Sequence, residues 1–254
     1  MRRTLALALH DWLLLGKGGG AVSPDAFLSS AEKAGVTKIA FLRHGKTAPK
    51  PKNGVDFDRQ LTDEGRSQAM EAGSSFGTLL KPFYPHVLVS PAPRTMETAE
   101  LFLASASIPV SSDTIRPIQP LYDGTMQPKG SQLFQKIGYA PLRDYVDSSD
   151  PDDRDVSRTL LGMYAATVVT AMAETLQQDT SSTTGTKTGE NLTLWMVGHA
   201  IYLPAAALGV ASLADCCQAG METILSTNTK EAEGYIIDLD KSEASYLSRP
   251  SSKG

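Results

Sequence analysis

The chain has 254 residues, 41% of them apolar, which is enough to build a sizeable core in one α/β domain or two small ones. Its 24 Lys and Arg against 28 Asp and Glu give a formal charge of −4, which excludes a global basic field for nucleic acid or an anionic membrane. Any attraction for anions must be local.

At the start, Met1-Arg2-Arg3 and Leu5 to Leu9 imitate a secretory leader. His10 and Asp11 interrupt the apolar run, and it is too short to span a bilayer, so no integral membrane segment is expected. An organelle transit peptide and a peripheral helix ending at Lys17-Gly18-Gly19-Gly20 both stay open for this stretch. The expectation is an intracellular protein, cytoplasmic or organellar, with an N-terminal extension over residues 1–36 and one catalytic domain over 37–250.

Lys38-Ile39-Ala40-Phe41-Leu42 is a short apolar run that predicts a buried strand stopping at Arg43. Lys46 to Arg59, with Pro49, Pro51 and Asn53-Gly54, reads as a loop whose Lys46, Lys50 and Lys52 are either an anion lure or a solvated surface. Thr62 caps a helix that sets Ala69, Ala72, Gly73, Phe76 and Leu80 on one face. Val87-Leu88-Val89 is a second strand, after which Ser90 caps a helix from Ala92 to Ala104 with Pro91 in its first turn.

Residues 105–158 are rich in Pro, Gly, Ser and Asp and read as loops around one strand near Ile115 to Ile118. Thr159 to Gln177 has a helical pattern, and Asp179 to Glu190 is a Ser/Thr/Gly linker. A strand over Leu192 to Val197 stops at Gly198-His199, a helix follows over Tyr202 to Leu213, and Gly234 to Leu239 is a last strand. The adjacent Cys216 and Cys217 point apart in most backbone geometries, so they read as small apolar residues of a reduced compartment. Alternating strands and helices predict an α/β domain with a largely parallel sheet.

Three of these strands end in Arg43-His44, in Ser90 leading to Arg94, and in His199. In open α/β sheets ligands bind at that edge, so residues distant in sequence would converge there. Their chemistry suits a phosphoryl group, which carries charge on three equatorial oxygens and needs fixed donors. Arg43 and Arg94 offer rigid forks, Thr47 a hydroxyl, and the first-turn amides near Ala92 further donors. A neutral His44 can attack phosphorus, and His199, if protonated, would bind another oxygen.

The motifs Phe41-Leu42-Arg43-His44-Gly45-Lys46-Thr47, Leu61-Thr62, Ser90-Pro91-Ala92-Pro93-Arg94 through Ala99, and Val197-Gly198-His199-Ala200 resemble the histidine phosphatase superfamily. The resemblance extends over about residues 37–240. It implies a three-layer α/β/α sandwich of the phosphoglycerate-mutase-like kind, with His44 as nucleophile and Arg43, Arg94 and His199 as the phosphate pocket. No metal and no other cofactor is implied. The family usually supplies an acid for the leaving group, and Asp123 in Leu121-Tyr122-Asp123-Gly124 is the nearest match, although Asp123-Gly124 equally reads as a plain turn.

The expected function is a phosphatase acting on a phosphorylated small molecule or phosphoprotein, with a silent phosphate-binding scaffold as the alternative. A phosphoglycerate-type mutase is disfavoured, because Lys46 stands where many members carry Glu and the usual Trp-Asn pair is absent. Gly45-Lys46-Thr47 is no P-loop, since Ala40 falls where the first glycine belongs. Gly73-Ser74-Ser75-Phe76-Gly77 has no strand before it and is no serine-hydrolase elbow. Asp150 to Asp155 reads as a solvated loop or helix cap.

Overall fold

Alternation along the central strands divides the core into two layers. In β1 (Val36–Arg43), Ile39 and Phe41 face one cluster of buried side chains while Ala40 and Leu42 face the other. In β4 (Leu192–Gly198), Leu194 and Met196 join the first cluster, and Trp195 and Val197 the second. A strand buried on both faces has to be apolar at nearly every position, which is why these runs read so clearly in the sequence.

The computed structural model describes residues 23–50, 52–79, 81–111, 113–123, 128–181 and 191–250. Residues 1–22, 182–190 and Leu80 lie outside them, so the expectations there have no structural counterpart, while Asp179 to Ser181 of the expected linker are the last residues of a helix. The elements in chain order are α1 (Pro24–Lys33), β1, α2 (Asp63–Phe76), β2 (Phe83–Val89), α3 (Pro93–Ser105), β3 (Ile115–Pro117), α4 (Pro120–Asp123) and α5 (Pro128–Ile137). They continue with α6 (Leu142–Val146), α7 (Pro151–Ser181), β4, α8 (Tyr202–Leu213), α9 (Gln218–Ser226), β5 (Gly234–Asp238) and β6 (Glu243–Leu247).

Six strands form one sheet in the order β3-β2-β4-β1-β5-β6. The first four run parallel, and β5 and β6 close the far edge antiparallel. Helices α1, α7 and α8 cover one face through Phe27, Val168, Met172, Leu203 and Ala206. Helices α2 and α3 cover the other through Ala72, Phe76, Phe102 and Leu103. This is the expected α/β/α sandwich.

Several elements differ from expectation. Residues 105–158 hold α4, α5, α6 and the first turns of α7 where loops were expected, because local Pro and Gly content masked short helices that each bury no more than three apolar residues. Helix α7 begins at Pro151, and Asp150 Oδ1 accepts from the amides of Asp152 and Asp153, so the acidic cluster is a cap. Helix α3 starts one residue later than expected and its N-cap is two residues later, at Ala92 in place of Ser90, with Pro93 in its first turn. Helix α1 puts Phe27 and Ala31 into the core, with Ala34 of its C-cap beside them.

Helix α7 is long and apolar enough to cross a membrane by length and composition, yet 56% of its most apolar window is buried inside the fold, as befits a core helix. Thr62 caps α2 as expected, its hydroxyl accepting from the Gly65 amide at 3.0 Å.

Candidate active site

Parallel strands β1, β2 and β4 end side by side, and the backbone ties their tips together. The His44 amide donates to Gly198 O at 3.1 Å and the Ser90 amide to Val197 O at 3.0 Å. Residues 44, 90 and 199 are thereby forced to one edge of the sheet.

The turn after β1 is clamped onto the start of α2. A Cβ at Gly45 would lie 2.3 Å from Gly65 O, and one at Gly65 would lie 2.0 Å from Lys46 O, so both positions must be glycine for the turn to seat. Thr98 Oγ1 accepts from the Gly45 amide at 3.1 Å, and Gln68 Oε1 from the Lys46 amide at 2.8 Å. The His44 ring hangs from a backbone held on both sides.

His44 Nδ1 lies 2.7 Å from the carbonyl of Gly45. A carbonyl only accepts, so Nδ1 carries the proton and Nε2 keeps its lone pair. Burial, and then the guanidinium charges of Arg94 and Arg43, hold the pKa of His44 well below the ordinary histidine value. The ring is therefore neutral at pH 7.

His199 stands edge-on to His44, with ring centroids 5.3 Å apart. Arg94 Nη2 approaches its Nδ1 to 3.3 Å, and a guanidinium only donates, so Nδ1 accepts. Its Nε2 is then the N–H, donating to Ser90 Oγ at 2.8 Å. Burial, His44 and the nearby arginines hold this pKa well below the ordinary value as well. His199 is thus neutral, where the sequence reading considered a protonated donor.

Arg94 is 2% exposed and donates to Asp56 Oδ2 and to Asp56 O, each at 2.7 Å. Burial lowers its pKa and Asp56 works against that shift. Arg43 donates to Thr229 O at 2.6 Å and Glu231 Oε1 at 3.1 Å, while its guanidinium carbon lies 5.0 Å from the centre of the Tyr139 ring. The Nε of both arginines is buried without a hydrogen-bond partner among the described residues. Two orphaned cationic donors beside two neutral imidazoles favour an anion.

A cavity of about 250 Å³ opens onto His44, Arg94 and His199. Arg43, Thr47 and Ser90 do not line it. Arg43 is turned to Thr229 O and Glu231, Thr47 Oγ1 accepts from Arg59 Nη2, and Ser90 is fully buried against His199. Asp123 belongs to α4 by its backbone, while its side chain and Gly124 lie outside the described residues. Lys46 is tied to Glu64 at 2.5 Å at the surface.

Sequence reasoning missed Asp56 and Arg59, both on the cavity wall, because they sit in a stretch that reads as a basic loop. It also missed Phe134 and Tyr139. The spacing of Gly130, Leu133, Phe134 and Ile137 is the helical signal that marks α5.

The profile of the histidine phosphatase superfamily (branch 1) matches residues 39–114, the stretch that carries Arg43, His44, Ser90 and Arg94. Over these residues the chain is similar to the histidine phosphatase superfamily. His199 lies beyond the matched stretch, and β4 brings it to the superfamily motif.

Among solved structures, the phosphoserine phosphatase of Entamoeba histolytica, in complex with 3-phosphoglyceric acid, superposes with a TM-score of 0.51 at 15% identity, covering 85% of this chain and 98% of that one. The native mycobacterial glucosyl-3-phosphoglycerate phosphatase gives 0.47 at 16% identity, with 85% and 100% covered. Bacillus stearothermophilus YhfR gives 0.46 at 18% identity, with 82% and 94% covered. The first of these likenesses shows the histidine phosphatase fold. Comparison with curated proteins returns no match.

Proposed function

We propose that the protein is a phosphatase that hydrolyses a phosphomonoester or phosphoramidate through a phosphohistidine on His44. The observation that carries this reading is the His44 ring, fixed by Gly45 O so that a neutral Nε2 is left as nucleophile, 5.3 Å centre to centre from His199 and close to Arg94.

In the first step the Nε2 lone pair forms the N–P bond while the P–O or P–N bond to the leaving group breaks in line. The bonding pair departs with the leaving atom, which takes up a proton. Asp123 is the proposed source of that proton. Water then attacks phosphorus as its proton passes to the proposed Asp123 carboxylate, the N–P bond breaks with its electron pair returning to Nε2, and inorganic phosphate, neutral His44 and protonated Asp123 are restored.

Arg94 and Arg43 supply the positive charge for the equatorial oxygens, with Thr47 and the amides at the start of α3 as further proposed donors. Positive charge from two guanidinium groups takes the place a divalent cation has in other phosphoryl-transfer sites, so metal-independent turnover is proposed. A bound phosphate dianion offsets the arginines around His199, which raises its pKa and lets it take a proton and donate to phosphate. Ser90 holds the ring for that task.

The experiment is hydrolysis of a generic aryl phosphate by the full chain, with and without chelator. Activity unaffected by chelator in the wild type, and absent from His44→Ala, is expected. Activity that vanishes with chelator, or that survives His44→Ala, overturns the proposal.

A further inference from the structure

Away from the histidines the cavity is walled by rings. Helix α5 presents Phe134, which meets Tyr139 edge-on with centroids 4.8 Å apart. Tyr122, carried by α4, stands edge-on to His199 at 5.7 Å and to Phe57 at 5.1 Å. Tyr202, from the first turn of α8, closes the remaining side. Tyr139 is 55% exposed and marks the mouth.

Charge on the wall is already committed. The charged groups among the described lining residues are Asp56, Arg59 and Arg94. Arg59 places one N–H from each of its nitrogens on Ala48 O, Asp56 Oδ1 and Thr47 Oγ1, and Arg94 is the phosphate-facing arginine. Besides Arg94 the described lining cation is Arg59, which is ion-paired with Asp56, and the half-exposed carboxylate of Asp56 repels a second anionic group.

Size points the same way. A cavity of roughly 150 Å³ accommodates a benzene ring, so about 250 Å³ suits one ring and a phosphate. Aromatic walls met edge-on or offset favour a ring as their guest.

We infer that the site takes a phosphorylated single-ring aromatic compound whose only anionic group is the phosphate, with Tyr122, Phe134, Tyr139 and Tyr202 forming the ring subsite. This rests on the phosphatase reading above. Aryl phosphates leave easily whatever the pocket, so the comparison has to hold the leaving group constant.

The test uses benzyl phosphate and n-propyl phosphate, both alkoxide esters, with 3-phosphoglycerate as an ester bearing a second anion. For the wild type, kcat/KM for benzyl phosphate is expected to exceed that for propyl phosphate by about tenfold or more, and to exceed that for 3-phosphoglycerate. In Phe134→Ala, and in Tyr139→Ala at the open mouth, the benzyl-to-propyl ratio falls to about threefold or less. Equal rates for the two esters, an unchanged ratio in both variants, or a preference for 3-phosphoglycerate overturns the inference and leaves the phosphatase reading intact. If no ester turns over, calorimetric binding of benzylphosphonate and n-propylphosphonate decides the subsite by itself: tighter binding of the benzyl compound supports it, and equal dissociation constants overturn it.

Discussion

Two arginine–histidine contacts in this protein have nearly the same geometry and different consequences. Arg94 Nη2 lies 3.3 Å from His199 Nδ1, and Arg116 Nη2 lies 3.0 Å from His86 Nε2. Around Arg116, Asp179 Oδ1 accepts from both Nη1 and Nη2 at 3.1 Å, Tyr84 donates to the same carboxylate, and His86 Nδ1 donates to Asp113 O. That network ties the β2–β3 edge to the end of α7, and its cation is matched by a carboxylate at close range.

Around Arg94 the balance is different. Arg43 and Arg59 add positive charge near the same two histidines, and the carboxylates that answer them, Asp56 and Glu231, are half-exposed or partly exposed. Orphaned Nε groups remain on Arg43 and Arg94. A residue pair alone therefore says little. Whether its charge is matched decides between a structural tie and an anion site.

Breaking each contact should separate the two. The largest effect is expected for Arg94→Ala, which removes a proposed transition-state donor and lowers kcat/KM by about 10²- to 10³-fold with an unchanged far-ultraviolet circular dichroism spectrum. Ser90→Ala, which frees the His199 ring without touching the proposed phosphate, should cost about tenfold, mainly in kcat. Arg116→Ala is expected to lower stability by roughly 1–3 kcal/mol in urea unfolding while leaving kcat/KM where it was. An Arg116→Ala enzyme that is stable but inactive would erase the distinction.

The smallest effect is in pH dependence. His44 and His199 titrate below the ordinary value when folded and near 6.5 when unfolded. Between the lowered folded value and about 6.5 the unfolded chain binds more protons, so unfolding free energy rises with pH through that window. Thermal melts should therefore show Tm falling from pH 7 toward pH 5, with a shallower fall when both histidines are changed to Asn. The acid limb of kcat/KM in the wild type should also lie below the ordinary histidine range.

Much of the inner site was legible in the sequence, because a strand buried on both faces writes itself as an apolar run and stops where its first polar residue reaches the sheet edge. Ile39 to Leu42 before Arg43-His44, and Leu192 to Val197 before His199, both follow that rule. The outer wall was not legible. Phe134 and Tyr139 sit on or beside short helices whose stability comes from packing on α7 and α9, and a stretch with that much Gly, Pro and Ser reads locally as loop. Asp56 was hidden for another reason: its partner, Arg94, lies 38 residues away, and charge pairing across that distance leaves no local pattern. The position of Ser90 was read correctly but its task was not, since Ala92 proved to be the cap and the hydroxyl turned to His199.

The central claim, covalent catalysis by the neutral imidazole of His44, is tested most directly by rapid acid-free quenching of the full chain during turnover of an aryl phosphate, followed by peptide mass spectrometry. One phosphoryl group on His44, labile in acid, stable in alkali and absent from His44→Ala, is the predicted result. Turnover with no phosphoryl group on His44, or with the group on another residue, would contradict it.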